Sequence, residues 1–119
     1  MQNHITVTLT PELRLEQALG VTDLTTVTKL TILGMPVDDD FKYICKNMSI
    51  TLRELDMGNA WVTKIGTFAF FKCTGLTSIT LPASIVQISE YTFVGCTSLI
   101  SINVSDSLMD CKSSVYKEK

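Results

Sequence analysis

Hydrophobic positions in the second half of the chain recur with a fixed period. Ile65 to Leu81 (IGTFAFFKCTGLTSITL) and Ile88 to Val104 (ISEYTFVGCTSLISINV) align without a gap at an offset of 23 residues. Ile65 falls on Ile88, Phe68 on Tyr91, Phe70 on Phe93, Cys73 on Cys96, Leu76 on Leu99, Ile79 on Ile102 and Leu81 on Val104. Weaker copies lie upstream. Leu52, Leu55 and Met57 repeat the spacing of Leu76, Ile79 and Leu81, and Val27, Leu30 and Ile32 repeat it again. Successive steps are 25, 24 and 23 residues, the period of a solenoid in which each coil gives one short strand to a parallel sheet.

Side-chain alternation explains the pattern. In a strand, Ile79 and Leu81 turn inward while Ser78 and Thr80 turn outward. Ile65 and Ile88, preceded by Val62 and by Ile85 with Val86, anchor a second extended segment on the other flank. Phe68, Phe70, Tyr91 and Phe93 are expected to fill the middle of the coils, where an aromatic ring buries roughly 150 to 250 Å². No coil can cover its own apolar face, so stability must come from stacking.

The first half predicts a cap and degenerate coils. Ile5, Val7 and Leu9 alternate with Thr6, Thr8 and Thr10 as a half-buried strand. Thr10 as N-cap and Pro11 as the first helical residue predict a short helix ending before Gly20, with Leu13, Leu15, Ala18 and Leu19 as its apolar positions. Asp38, Asp39 and Asp40 favour a helix start, and Phe41, Ile44, Cys45 and Met48 follow at helical spacing. The expectation is an α/β leucine-rich-repeat solenoid of about four coils, with helices on the early coils and turns on the later ones. Residues 1–26 would form the cap, 27–105 the coils and 106–119 a tail, within a single domain.

At this point the residues resemble a known family. FAFFKCTGLTSITLPASIVQI and YTFVGCTSLISINV are similar to the A-F-x-G-C-x-x-L-x-x-I-x-L-P-x-S-V-x-x-I consensus of BspA-type leucine-rich repeats of bacterial surface proteins. The resemblance implies a surface-exposed or secreted adhesion and interaction protein with no catalytic activity. Three departures are visible: Lys72 where the next copy has Gly95, the Phe68 and Ala69 pair, and Ser105 where Pro82 predicts Pro.

Composition narrows the function classes. The 119 residues are 45% hydrophobic and 18% charged, which suits a folded domain rather than a disordered chain. Ten Lys and Arg against twelve Asp and Glu give a net charge of -2, too little positive charge for a nucleic-acid partner. No apolar run reaches the roughly 20 residues of a membrane span. Met1 to Leu9 shows neither the basic nor the apolar segment of a secretory signal, and the compartment stays a matter of family resemblance.

Catalytic and metal chemistry finds little support. Cys45, Cys73, Cys96 and Cys111 contain no C-x-x-C pair and have only His4 as an imidazole companion. Cys73 and Cys96, at equivalent positions, would stack about 5 Å apart, as buried thiols or, with less suitable geometry, as a disulfide. Cys111 is the candidate for a reactive thiol, which keeps a thiol-dependent redox protein as one alternative. A Ser-His-Asp set would have to recruit His4 from the terminus. Glu54 and Asp56 share a strand face, but both read as ordinary solvated positions. Asp38 to Asp40 are explained by helix-start electrostatics without a cation. No cofactor motif is present.

Binding chemistry is better founded. Stacked strands would place Lys29, Glu54, Ser78 and Ser101 in one outward row and Thr31, Asp56, Thr80 and Asn103 in the next. This hydroxyl-rich surface suits a protein or glycan ligand, with Trp61 as a possible aromatic anchor. The alternative is a structural spacer, or a fragment of a longer surface protein, with no ligand of its own. The polar tail SDSLMDCKSSVYKEK offers little to cover the last coil, so self-association through that end is a further expectation. Asn47 and Asn103 each begin an N-x-S sequon.

Overall fold

The computed structural model describes residues 4–19, 26–66, 68–89 and 91–103. Along the chain the elements are β1 (His4–Leu9), α1 (Leu15–Ala18), β2 (Lys29–Gly34), α2 (Asp38–Met48), β3 (Glu54–Asp56), β4 (Lys64–Ile65), β5 (Ser78–Thr80), β6 (Gln87–Ile88) and β7 (Ser101–Asn103). Strands β1, β2, β3, β5 and β7 lie side by side in one parallel sheet, and β4 pairs with β6 in a second. This is a leucine-rich-repeat type of fold, with a parallel sheet and few helices.

Register follows the sequence repeat without a slip. Ile5, Leu30, Leu55, Ile79 and Ile102 are successive partners across the sheet, and Ile65 pairs with Ile88 on the other flank. Leu30, Leu55, Ile79 and Ile102 are buried, each worth about 1.5 to 3 kcal/mol of transfer free energy. Before each short strand the same backbone contact recurs. Arg53 and Glu54 donate to the Thr28 carbonyl, Thr77 and Ser78 to that of Arg53, and Ile100 and Ser101 to that of Thr77. β1, expected in the cap, pairs with β2 over six residues and carries the sheet one strand further than the repeat alone predicts.

The coil interior is built on stacked phenyl rings. Phe41 of α2 lies 5.0 Å from Phe70, whose ring is stacked on Phe93 at 5.5 Å and 4°. All three are fully buried. Phe68 and Tyr91, expected in the same interior, are instead exposed. Both adopt left-handed backbone, with φ of 60° and 61°, which turns the side chain out of the coil while Ala69 and Thr92 turn in. Val86 is likewise exposed, because Ile85 takes the single inward position before β6.

The first helix departs from expectation. Thr10 does not cap a helix begun by Pro11. Its hydroxyl accepts from the Glu12 and Leu13 amides, and Thr10 and Leu13 exchange backbone hydrogen bonds around Pro11 and Glu12. That turn spends the residues that would have formed the first helical turn. Leu13 stays partly exposed, and α1 covers four residues, ending before Leu19.

α2 begins where the aspartates predict, and their roles differ. Asp38 Oδ1 accepts the Gly66 amide of the following coil at 3.1 Å. Asp40 is buried, and its carboxylate accepts from Arg14 Nη1 at 2.8 Å, the Leu15 amide at 2.9 Å and the Val37 amide at 2.8 Å. Arg14 also donates to the carbonyls of Thr10 and Met35. One carboxylate thus ties the turn after β1, the start of α1 and the start of α2 together.

Backbone conformation at two equivalent positions separates a compatible residue from a strained one. Gly95 has a φ of 84°, and a Cβ there would come within 2.8 Å of the Lys72 side chain. Lys72, its counterpart, holds a φ of 59° with a side chain attached, a conformation costing roughly 1 to 2 kcal/mol outside glycine. Lys72→Gly is expected to raise unfolding stability by about 1 kcal/mol, and Lys72→Ala to give no such gain; urea unfolding with an unchanged m-value checks both. Asp40→Ala leaves the Leu15 and Val37 amides without an acceptor and removes one of the partners of Arg14, and a loss of about 2 to 4 kcal/mol is expected in the same measurement.

Candidate functional site

The outward face of the five-stranded sheet carries two continuous rows. His4, Lys29, Glu54, Ser78 and Ser101 are partners in register in the first, and Thr6, Thr31, Asp56, Thr80 and Asn103 in the second. At about 4.8 Å between strands each row runs about 19 Å. All eight residues expected from the sequence are brought together in this way, each exposed or half-buried. His4 and Thr6 are additional members: the sequence alone places His4 at the terminus, whereas it opens β1 and brings Thr6 into the second row.

Side chains in the rows hold one another. His4 Nε2 is 2.8 Å from the Thr31 hydroxyl, Lys29 Nζ is 3.8 Å from Glu54, and Asn103 Nδ2 donates to the Thr80 hydroxyl at 3.3 Å. Asp56 is committed locally, accepting the Gly58 amide at 2.9 Å. Charge is concentrated on β2 and β3, at Lys29, Glu54 and Asp56, while β5 and β7 offer hydroxyl and amide groups. An exposed ion pair such as Lys29 with Glu54 contributes about 0 to 1 kcal/mol to stability, so its two ends remain available to a ligand. The face is shallow, suited to hydrogen bonding an extended partner rather than enclosing a small molecule.

Trp61 lies beside this sheet and is 59% exposed. Its amide donates to the Gly34 carbonyl at 2.7 Å, which fixes the segment after β3 against the end of β2. Ser84, at the same position one coil on, points inward, and its hydroxyl donates to the Val62 carbonyl and accepts the Val62 amide. The indole borders a groove of about 290 Å³ lined by Met35, Pro36, Val37 and Lys64 among others. Met35 and Val37 are also exposed.

The cysteines assemble where the sequence places only two of them. Cys45, Cys73 and Cys96 are free thiols. Cys73 is buried beside the other two, and its thiol is pushed far above the ordinary range by Cys45, then Cys96, then burial. It is therefore held protonated, unsuited to act as a nucleophile. Cys96 Sγ donates to the Phe70 carbonyl at 3.0 Å and Cys45 Sγ to the Ala69 carbonyl at 3.5 Å. Cys45, expected on the buried face of α2, is half-buried. Among the described residues no group of three or more His, Cys, Asp or Glu side chains is arranged to hold a metal ion. Cys111 and the tail proposed for self-association lie outside the described residues.

Comparison with known proteins agrees with this geometry. The family model described as the BspA type leucine rich repeat region (6 copies) matches residues 39–119. The chain belongs to the BspA-type leucine-rich-repeat family. A crystal structure of a leucine rich cell surface protein from Faecalibacterium prausnitzii shares the fold, with a TM-score of 0.52 and 24% identity over 76% of this chain. The match spans 23% of that protein's chain. No curated protein matches the chain. Within the BspA-type frame, Cys73 and Cys96 occupy the consensus cysteine of the repeat, and Trp61 stands where the next coil has the consensus serine, Ser84.

Burial separates the thiols experimentally. A maleimide reagent is expected to modify Cys45 about tenfold or more faster than Cys73 and Cys96 in the native protein, a difference that urea removes. Mass spectrometry of the individual cysteine peptides checks it.

Proposed function

We propose that this chain is a non-catalytic recognition module of a bacterial surface or secreted protein, binding a protein or glycan through the outward rows of its repeat strands. The observation that carries the reading is the pair of unbroken polar rows, ten exposed or half-buried side chains in register with their hydroxyl, amide and charged groups on one face. Membership of the BspA-type family supports a surface location; no helix among the described residues is long and apolar enough to cross a membrane. Trp61, 59% exposed beside the groove of Met35, Pro36, Val37 and Lys64, would supply an aromatic anchor, where a ring can contribute apolar contact that the hydroxyl rows lack. About four repeat coils between a cap over residues 1–26 and a tail over 106–119 is the organisation assumed.

A second reading has its own support. Because the match spans 23% of a larger leucine rich surface protein, the chain can equally serve as a spacer within a longer array, displaying other parts without a ligand of its own.

An array of glycans and extracellular-matrix proteins probed with the intact chain separates the two. Under the recognition reading, the combined Ser78→Ala, Thr80→Ala, Ser101→Ala and Asn103→Ala variant is expected to keep its urea midpoint close to the parent's and lose capture by about tenfold or more, two to three surface hydrogen bonds at 0.5 to 1.5 kcal/mol each. Trp61→Ala should weaken capture on its own. Capture untouched by these changes, or no capture by the parent chain, favours the spacer.

A further inference from the structure

On the back of the molecule, away from the polar rows, the helix α2 meets the turns that follow β4. Lys42, Cys45 and Lys46 of α2 and Phe68, Phe71 and Lys72 of the turns enclose a shallow depression of about 440 Å³. Its apolar surface is two phenyl rings, edge to face at 5.5 Å and 80°. Tyr91 extends it, stacked on Phe68 at 5.7 Å and 14°. Coil stacking does not need these rings inside, since Ala69 and Phe70 take the interior positions. Phe68 is held outward by left-handed backbone at φ 60°, and both phenyl groups stay about half exposed.

Positive charge surrounds this patch. Lys42 and Lys46 are one helical turn apart and share a face of α2. Lys72 approaches from the other wall, its Nζ 5.2 Å from the centre of the Phe71 ring. Among the described residues no Asp or Glu lines the depression, and none of the three ammonium groups has an ion-pair partner. Lys42 and Lys46 also border the neighbouring hollow that holds Glu16, Asp39 and Asp40, and on the side turned to the rings they form with Lys72 a local cationic rim around an aromatic floor. The two features call for one ligand chemistry, an apolar body to cover the rings and an anionic head to meet the lysines.

We propose that this depression binds a small amphipathic organic anion, with its acyl or aromatic body against Phe68 and Phe71 and its carboxylate-type head among Lys42, Lys46 and Lys72. The volume admits roughly fifteen non-hydrogen atoms at water's ~30 Å³ each. Cys45 lines the same wall and is half-buried, which makes its thiol a reporter of occupancy independent of the strand-face ligand.

The test uses the intact chain and decanoate below its micellar concentration, with decanol and decyltrimethylammonium as neutral and cationic counterparts. Decanoate is expected to bind in calorimetry and to slow maleimide modification of Cys45, read on its own peptide, about fivefold or more; the two counterparts should do so far less. The Lys42→Gln, Lys46→Gln, Lys72→Gln variant should bind decanoate about tenfold more weakly. Phe68→Gly, which suits the positive φ, should weaken it while keeping the fold. Equal protection by the cationic amphiphile, no protection by decanoate, or full affinity in a folded lysine variant overturns the proposal. Protection by an acidic peptide but not by decanoate overturns it too, in favour of a protein partner. Should a variant fail to fold, the three-probe comparison on the parent chain decides.

Discussion

Each strand of the main sheet contributes one branched or aliphatic side chain to a single inward column, and no coil can shield its own member of that column from water. Leu55 is buried only because Leu30 lies on one side and Ile79 on the other. Everything else is subordinate to that requirement. It fixes the parallel register, since a slip of one residue would turn the whole column outward. It also makes each coil's stability the property of its neighbours. Stacked rings at Phe41, Phe70 and Phe93 repeat the arrangement deeper in the coil, the helix supplying the first ring and the turns the other two.

The same constraint explains why the two ends of the stack are built differently. Later coils are short and nearly identical, so backbone contacts between turns suffice to hold them, as between Phe70 and Thr92 and between Lys72 and Val94. The early coils are longer and irregular, and their extra chain has to be fastened by side chains. Asp40 does this from inside α2, satisfying Arg14 and two amides with one buried carboxylate, while Asp38 reaches forward to Gly66. Where the helical coil gives way to turns, the outer surface steps, and the exposed rings of Phe68 and Phe71 lie against the lysines of α2.

Two faces of contrasting chemistry result from one repeat. The strand side presents hydroxyl, amide and paired charged groups that are partly bonded to one another. The turn side presents aromatic rings held in strained backbone. Strain of about 1 to 3 kcal/mol per position persists only where surrounding structure enforces it, and here the ladder of bonds between successive turns does so.

The period of 23 to 25 residues was legible in the sequence because the inward positions demand apolar side chains and little else can stand there. From that period alone came the parallel sheet, the matching of Lys29, Glu54, Ser78 and Ser101, and the second flank at Ile65 and Ile88. Tertiary structure decided what composition leaves degenerate. An aromatic residue inside the repeat reads as core, so only the left-handed backbone at Phe68 and Tyr91 reveals that they face out. Three adjacent aspartates read alike, and only the folded turn after β1 brings Arg14 to one of them, making Asp40 buried and Asp39 exposed. His4 became part of the polar face once β1 joined the sheet, and Cys45 met Cys73 through the placement of α2. Periodicity records which residues must be hidden, because burial acts on each coil in the same way. It carries no record of contacts made once between segments far apart in the chain, because those depend on where the completed stack brings them.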